Sequence, residues 1–379
     1  MQAPPQSVYA NILNQAQALD QANQFQSDPG RRNLELAAEA IRSAREIVLV
    51  AVGASYSACF PFVNRMAGAE RQVRLEDAAE FIYYIHRAYD SQVVFLQISR
   101  SGETIEIVKA LQTLKSLGRQ VIGITNEAGS TLAQFSDIPL IIGGPTDYLI
   151  SIQTYLTSLL TLHHLAEYVS GTPQAAAYRI GMQGLIGLGQ ATLDRYQDAS
   201  LDWKEKFIPY HAVYLSGRGH SLASAHQGSL LFHEIARFPG VAFNAGAFRH
   251  GPWEALDERM LAFVFAPVDD TYDLNINLLL ILCALGSRVV LVSGQLSQSK
   301  RIELEKLDRL EIWDIPTSPV DFAPFLEILT LEFFIYEFAC WQGLTPGVFR
   351  ACTTITLAET GSLATRQLKG SVWKTWSHR

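Results

Sequence analysis

From about residue 45 onward, short apolar runs alternate with segments whose apolar positions recur at helical spacing. Glu46 to Val52 (EIVLVAV) is predicted as a buried strand, broken by Gly53-Ala54-Ser55 before a helix beginning near Tyr56. Gln92 to Ile98 (QVVFLQI) is a second strand, followed by Ser99-Arg100-Ser101-Gly102-Glu103-Thr104. Ile107, Val108, Leu111 and Leu114 then mark a helix that Gly118 ends. Gln120 to Thr125 is a third strand and Ile138 to Ile142 a short fourth. Runs apolar on both faces and joined by helices imply a parallel sheet covered on both sides.

The pattern returns in the second half. Ala212 to Leu215 leads into Ser216-Gly217-Arg218-Gly219-His220-Ser221 and a long helical segment. Met260 to Phe265, Arg288 to Val292 and Leu310 to Ile315 read as strands, and Leu274 to Leu285 as a helix. Leu117-Gly118-Arg119-Gln120-Val121-Ile122 is echoed by Leu285-Gly286-Ser287-Arg288-Val289-Val290 (285 − 117 = 168), and the glycine turns at Gly53 and Gly217 lie 217 − 53 = 164 apart. Two near-equal offsets argue for two copies of one fold. The expected layout is an N-terminal helical arm (1–44), a first domain (45–172), a helical connector (173–205), a second domain (206–342) and a tail (343–379).

Charge narrows the partners. With 30 Lys+Arg against 37 Asp+Glu the net charge is -7, a surface that repels nucleic acid, so small anions would need local dipoles to bind. Cys59, Cys283, Cys340 and Cys352 form no C-x-x-C pair, which argues against a zinc cage or a disulfide framework. No secretory signal is evident in MQAPPQSVYANILNQAQ, and Leu274 to Leu285 is too short to span a bilayer. The expectation is a cytoplasmic, membrane-free protein.

Ser99-Arg100-Ser101-Gly102-Glu103-Thr104 sits where a strand ends and a helix begins, the place where open α/β sheets bind ligands. The first helical N–H groups lack internal partners and carry the positive end of the helix dipole, so a phosphate suits them. Ser99, Ser101 and Thr104 add hydroxyls, Gly102 lets the backbone come close, and Ser55 adds a fourth hydroxyl from the adjacent turn. The same residues also fit a plain helix cap with no ligand.

The pattern Gly53-x-Ser55 followed by Ser99-x-Ser101-Gly102-Glu103-Thr104 resembles the signature of the sugar isomerase (SIS) domain. The second half, through Gly217-Arg218-Gly219, Ala225 to Ile235 and Arg249-His250-Gly251-Pro252, resembles the tandem isomerase region of glucosamine-6-phosphate synthase. It is similar, too, to amino-sugar phosphate deaminases and fructosamine-phosphate deglycases. The resemblance covers about residues 45–356 and implies an α/β fold of two tandem SIS domains, each a doubly wound, flavodoxin-like parallel sheet. It assigns Ser55, Ser99, Ser101 and Thr104 to phosphate binding and Ser151 to sugar contact. Arg100 stands where the synthases carry Gln, which favours a backbone contact there. By the same resemblance, Glu234 is the base that moves a proton between C1 and C2. His250 assists ring opening and in relatives enters the neighbouring subunit's site, which implies a homodimer. No cofactor is implied, and the histidines show no metal-ligand spacing.

Departures from the resemblance bear on the reaction. Gln153 and Leu231 replace lysines, Gln227 replaces a glutamate, and Thr354 stands where a lysine forms an imine, unless a shifted alignment brings Lys369 there. A glutaminase domain with its N-terminal cysteine is not expected, because the chain begins Met1-Gln2. In the second half Val268-Asp269-Asp270-Thr271 replaces the serine-rich loop, and its acidic groups would repel phosphate. The leading expectation is a phosphosugar isomerase, amino-sugar phosphate deaminase or fructosamine-phosphate deglycase. A phosphosugar-binding regulator without turnover is the alternative, and a dimerisation scaffold a third reading.

Overall fold

The structure, a computed structural model, describes residues 7–171, 176–199, 203, 210–294 and 296–349. Two five-stranded, all-parallel sheets repeat one plan. In the first, β1 (Glu46–Ala51) lies between β2 (Gln72–Asp77) and β3 (Val93–Ile98), followed by β4 (Gln120–Thr125) and β5 (Ile138–Ile141), in the order β2-β1-β3-β4-β5. In the second, β6 (Ala212–Gly217) lies between β7 (Gly240–Asn244) and β8 (Met260–Phe265), followed by β9 (Arg288–Ser293) and β10 (Leu310–Asp314). The order β7-β6-β8-β9-β10 is that of the first sheet shifted by five strands, so both halves are doubly wound sheets of the flavodoxin-like order.

Strand faces alternate between two cores. Leu49 and Leu96 of the first sheet join Phe263 and Val290 of the second in one large core, whereas Val48, Val50 and Phe95 face a smaller outer cluster. Ala262, Val264 and Leu291 do the same on the second sheet. The shared core is filled by helices Gln15–Ser27, Gln153–Ser170, Ala176–Ala199 and Ala323–Trp341. Leu159 and Leu160 come from one of them, and Leu329, Phe333 and Phe334 from another. The two sheets therefore share a single interior.

Two glutamates of Ala323–Trp341 are fully buried in that interior. Glu327 accepts hydrogen bonds from the Ser221 (2.7 Å) and Ser224 hydroxyls, and Glu332 accepts one from the Gln15 amide. Burial without a cation lifts their carboxyls to about 7 and about 8 respectively, so both hold their protons to higher pH than an exposed carboxyl. Among the described residues no helix is long and apolar enough to cross a membrane, and no group of three or more His, Cys, Asp or Glu is placed to hold a metal ion.

Candidate active site

The chain leaves β1 toward β2 and leaves β3 toward β4, so the carboxyl ends of β1 and β3 flank a switch point. A cavity of about 570 Å³ lies there. Ser55, Ser99, Arg100, Ser101, Thr104, Ser151 and Glu234 all line it, together with Tyr148, Leu149 and the segment Gly347 to Phe349.

Each wall follows from local chemistry. Gly53 has φ +60°, a backbone open to glycine, and this turn starts the short helix Ala54–Ala58 that carries Ser55. After β3, the Ser99 hydroxyl accepts from the Gly102 amide (3.1 Å) and meets the Thr104 hydroxyl (3.0 Å), while Ser101 accepts from the Glu103 amide (3.2 Å). Gly102 has φ +65°, and a Cβ there would overlap the Ser130 side chain. Glu103 turns away to accept from the Thr131 amide and hydroxyl, tying the loop to the next one. Thr104 is the N-cap of helix Ile105–Ser116 but makes no side-chain capping bond. The first-turn amides thus stay available beside the cavity, with the positive end of the helix dipole.

Ser151 is held from behind. Buried Asp147 accepts from the amides of Ile152 (3.2 Å), Gln153 (2.8 Å) and Thr154 (3.0 Å), capping helix Gln153–Ser170, and Thr154 meets the Ser151 hydroxyl at 2.9 Å. From the second domain, the Gln227 amide donates to the Ser151 carbonyl (3.1 Å).

Glu234 arrives from the other domain. It ends helix Leu222–Glu234, which runs off β6 and packs on Ala54–Ala58; on the same side Phe60 stacks with His226 (4.8 Å between ring centroids). The carboxyl has no hydrogen-bond partner among the described residues. Burial raises it from 4.5 to about 7, and the nearby Arg100 cation limits the rise. A carboxyl near half-ionisation at neutral pH accepts and returns a proton readily.

Not every expected residue enters the cavity. Gly53 and Gly102 shape its turns without lining it. His250 is exposed in the turn after helix Ala245–Phe248 and lies outside the cavity. Gln227 and Leu231 are fully buried, and Gln153 bonds the Asn14 amide (2.6 Å). Thr354 and Lys369 lie outside the described residues. Tyr148, Leu149, Val348 and Phe349 line the cavity without a sequence signal, because loop positions follow no period. Asp147 is readable as a capping residue type, but not from five to seven positions away.

The second half has no matching cradle in its corresponding loop. After β8, Asp269 accepts from the Thr271 amide and hydroxyl (both 2.7 Å), filling its own turn with a carboxylate. After β6, the Ser221 hydroxyl is given to Glu327.

Two doubly wound units with a hydroxyl-lined cavity at one switch point define an SIS-type, phosphosugar-isomerase fold. The SIS domain profile matches residues 40–168 and 206–301, and the chain belongs to the SIS domain family. It is 26% identical over 320 residues to the glutamine–fructose-6-phosphate aminotransferase (isomerizing) of Pyrobaculum aerophilum, covering 83% of this chain and 51% of that protein. The chain spans about half the length of the curated relatives it matches. Among solved structures, it is similar to the C-terminal domain of glucosamine-fructose-6-phosphate aminotransferase from Francisella tularensis (TM-score 0.76, 21% identity, 89% of this chain and 97% of that one). Glucosamine-6-phosphate deaminase from Thermotoga maritima aligns with TM-score 0.71 and 20% identity over 90% of this chain and 96% of the other.

Proposed function

We propose that the chain is an enzyme acting on an open-chain phosphosugar, with Glu234 as the base that moves a proton between C1 and C2. The observation that carries this is an unpaired carboxyl, raised to about 7, in the same cavity as Ser55, Ser99, Ser101, Thr104 and an uncapped helix start. The hydroxyls and amides hold the phosphoryl group, and Ser151 meets the sugar. Glu234 takes the proton from one carbon, an enediol or enolamine forms, and the proton returns to the neighbouring carbon. With an oxygen substituent the product is the isomeric sugar. With nitrogen the product is an imine, to which water adds as the C–N bond breaks and the amine leaves. His250, supplied by the second subunit of a homodimer, would open the ring.

A phosphosugar-binding regulator is the second reading, favoured by the neutral residues Gln153 and Leu231 and by the lack of a lysine among the described lining residues. The deciding experiment follows ammonia or amine release, and isomerisation, from glucosamine-6-phosphate and fructosamine-6-phosphates. Glu234→Gln is expected to lose turnover by roughly 10²–10⁴-fold while still binding. Undiminished turnover in Glu234→Gln would remove the base assignment. Binding by wild type without any turnover would establish the regulator.

A further inference from the structure

Between β5 and helix Gln153–Ser170 the chain runs through residues 143–151 with neither helix nor strand, and this stretch brings Tyr148, Leu149 and Ser151 to the cavity. Among the described residues no backbone-to-backbone hydrogen bond holds it. Ile150 is buried, whereas Tyr148 and Leu149 are exposed, so packing anchors one side chain of this wall and leaves its neighbours to be set by the backbone. A backbone without ladder partners must find them elsewhere, and here it finds side chains.

The pins come from separate parts of the chain. At the start of the stretch, Asn126 accepts from the Gly144 amide (3.2 Å) and donates to its carbonyl (3.0 Å). At the end, the Gln227 amide holds the Ser151 carbonyl. In between, the Leu149 carbonyl has only a long bond from Arg100, at 3.4 Å, but the Tyr148 amide donates to the Asn11 side-chain oxygen at 2.9 Å. Asn11 lies in helix Val8–Leu13, and that helix is itself well seated. Val8 and Ile12 are buried, Tyr9 packs on Phe333 and Tyr336, and Asn14 just beyond it bonds Gln153. The same helix backs a second piece of the cavity, since a Cβ on Gly347 would come within 2.8 Å of Val8.

We propose that Asn11 is a positioning residue for the sugar: by holding the Tyr148 amide it fixes residues 148–151, and with them Ser151, while the phosphoryl group is held independently of it. The inference deepens the phosphosugar reading above and rests on it. The independence follows from the bonding. The hydroxyl loop is closed by the Ser99 and Ser101 hydroxyls and by the Asn126 amide on the Arg100 carbonyl (3.0 Å), and none of these bonds involves the N-terminal helix. A wall that carries a ligand contact on irregular backbone is only as exact as the rigid element behind it.

The test titrates glucosamine-6-phosphate, a fructosamine-6-phosphate and inorganic phosphate against Asn11→Ala and Asn11→Asp, each on a Glu234→Gln background so that bound sugar is not consumed. Asn11→Ala is expected to weaken the sugar phosphates by roughly 2–10-fold, the worth of one neutral hydrogen bond, and to leave inorganic phosphate unchanged. Alanine forms helix more readily than asparagine, so unwinding of helix Val8–Leu13 does not account for such a loss. Asn11→Asp keeps an acceptor for the Tyr148 amide and is expected to restore the ratio of sugar-phosphate to phosphate affinity, whatever its charge does to both. Hydrogen exchange over residues 143–151 should quicken in Asn11→Ala and not in Asn11→Asp. Unaltered exchange there, or sugar binding that ignores Asn11→Ala, would overturn the proposal. So would an equal loss of inorganic phosphate, which would make Asn11 a support of the whole cavity. If neither sugar phosphate binds the background with Asn11 intact, the phosphosugar reading falls and the proposal with it, an outcome seen before Asn11 is touched.

Discussion

The role proposed for Glu234 sets stability against chemistry, and the opposition is measurable. An unfolded chain ionises this carboxyl at about its ordinary value of 4.5, whereas the folded cavity holds the proton to about 7. The folded-state pKa is the higher one, so the stabilising contribution is intact at low pH and is lost as pH climbs from about 4.5 through 7. Each pH unit in that window removes about 1.4 kcal/mol, so the ionised form costs the fold on the order of 3 kcal/mol by pH 8.5. Less than about 1 kcal/mol of this has accrued at pH 5, where only the unfolded carboxyl is appreciably charged. Glu234→Gln keeps the shape and removes the titration. Paired thermal unfolding at pH 5 and pH 8.5 should show the variant gaining about 2–3 kcal/mol on wild type between the two conditions, a few degrees in Tm for a chain of this size. The gain should accompany loss of turnover. A Tm difference that ignores pH would refute the burial argument, and with it the account of how this carboxyl becomes a base at neutral pH.

Two further outcomes follow from the packing. Gly102→Ala forces a side chain into a backbone at φ +65° and against Ser130, so urea unfolding should show a loss of about 2–4 kcal/mol, and stabilisation by sugar phosphates should vanish. Glu332→Gln removes a buried carboxyl held to about 8, so the variant should resist the alkaline weakening that wild type shows between pH 4.5 and 8, with urea midpoints diverging as pH rises.

Most strands were legible as apolar runs: β4 and β8 begin and end where the pattern places them, β1, β3, β9 and the edge strands β5 and β10 differ by a residue at an end, and β6 runs two residues further. The strands at the opposite edges, β2 and β7, were not expected. Gln72–Asp77 alternates polar and apolar residues over an exposed-to-half-buried register, and Gly240–Asn244 opens on glycine and closes on asparagine. An edge strand has one neighbour and need not bury both faces. Helix Ala323–Trp341 presents no amphipathic stripe, since nearly all its faces are buried in the interior that the two halves share. In the site, the hydroxyl loop was legible from its place between a strand and a helix, and Glu234 from the family resemblance. Asp147, Leu149 and Phe349 reach the cavity or its support through loops, whose course depends on tertiary packing.

The hydroxyl loop belongs to one copy of the fold and the Glu234 carboxyl to the other, joined by the Gln227–Ser151 bond and by an undivided apolar interior. The duplicated halves have thus ceased to be separable machines. Because that interior is close-packed, a side chain such as Phe333 or Leu329, remote from the cavity, helps hold the two halves, and so the two groups of cavity residues, in one arrangement.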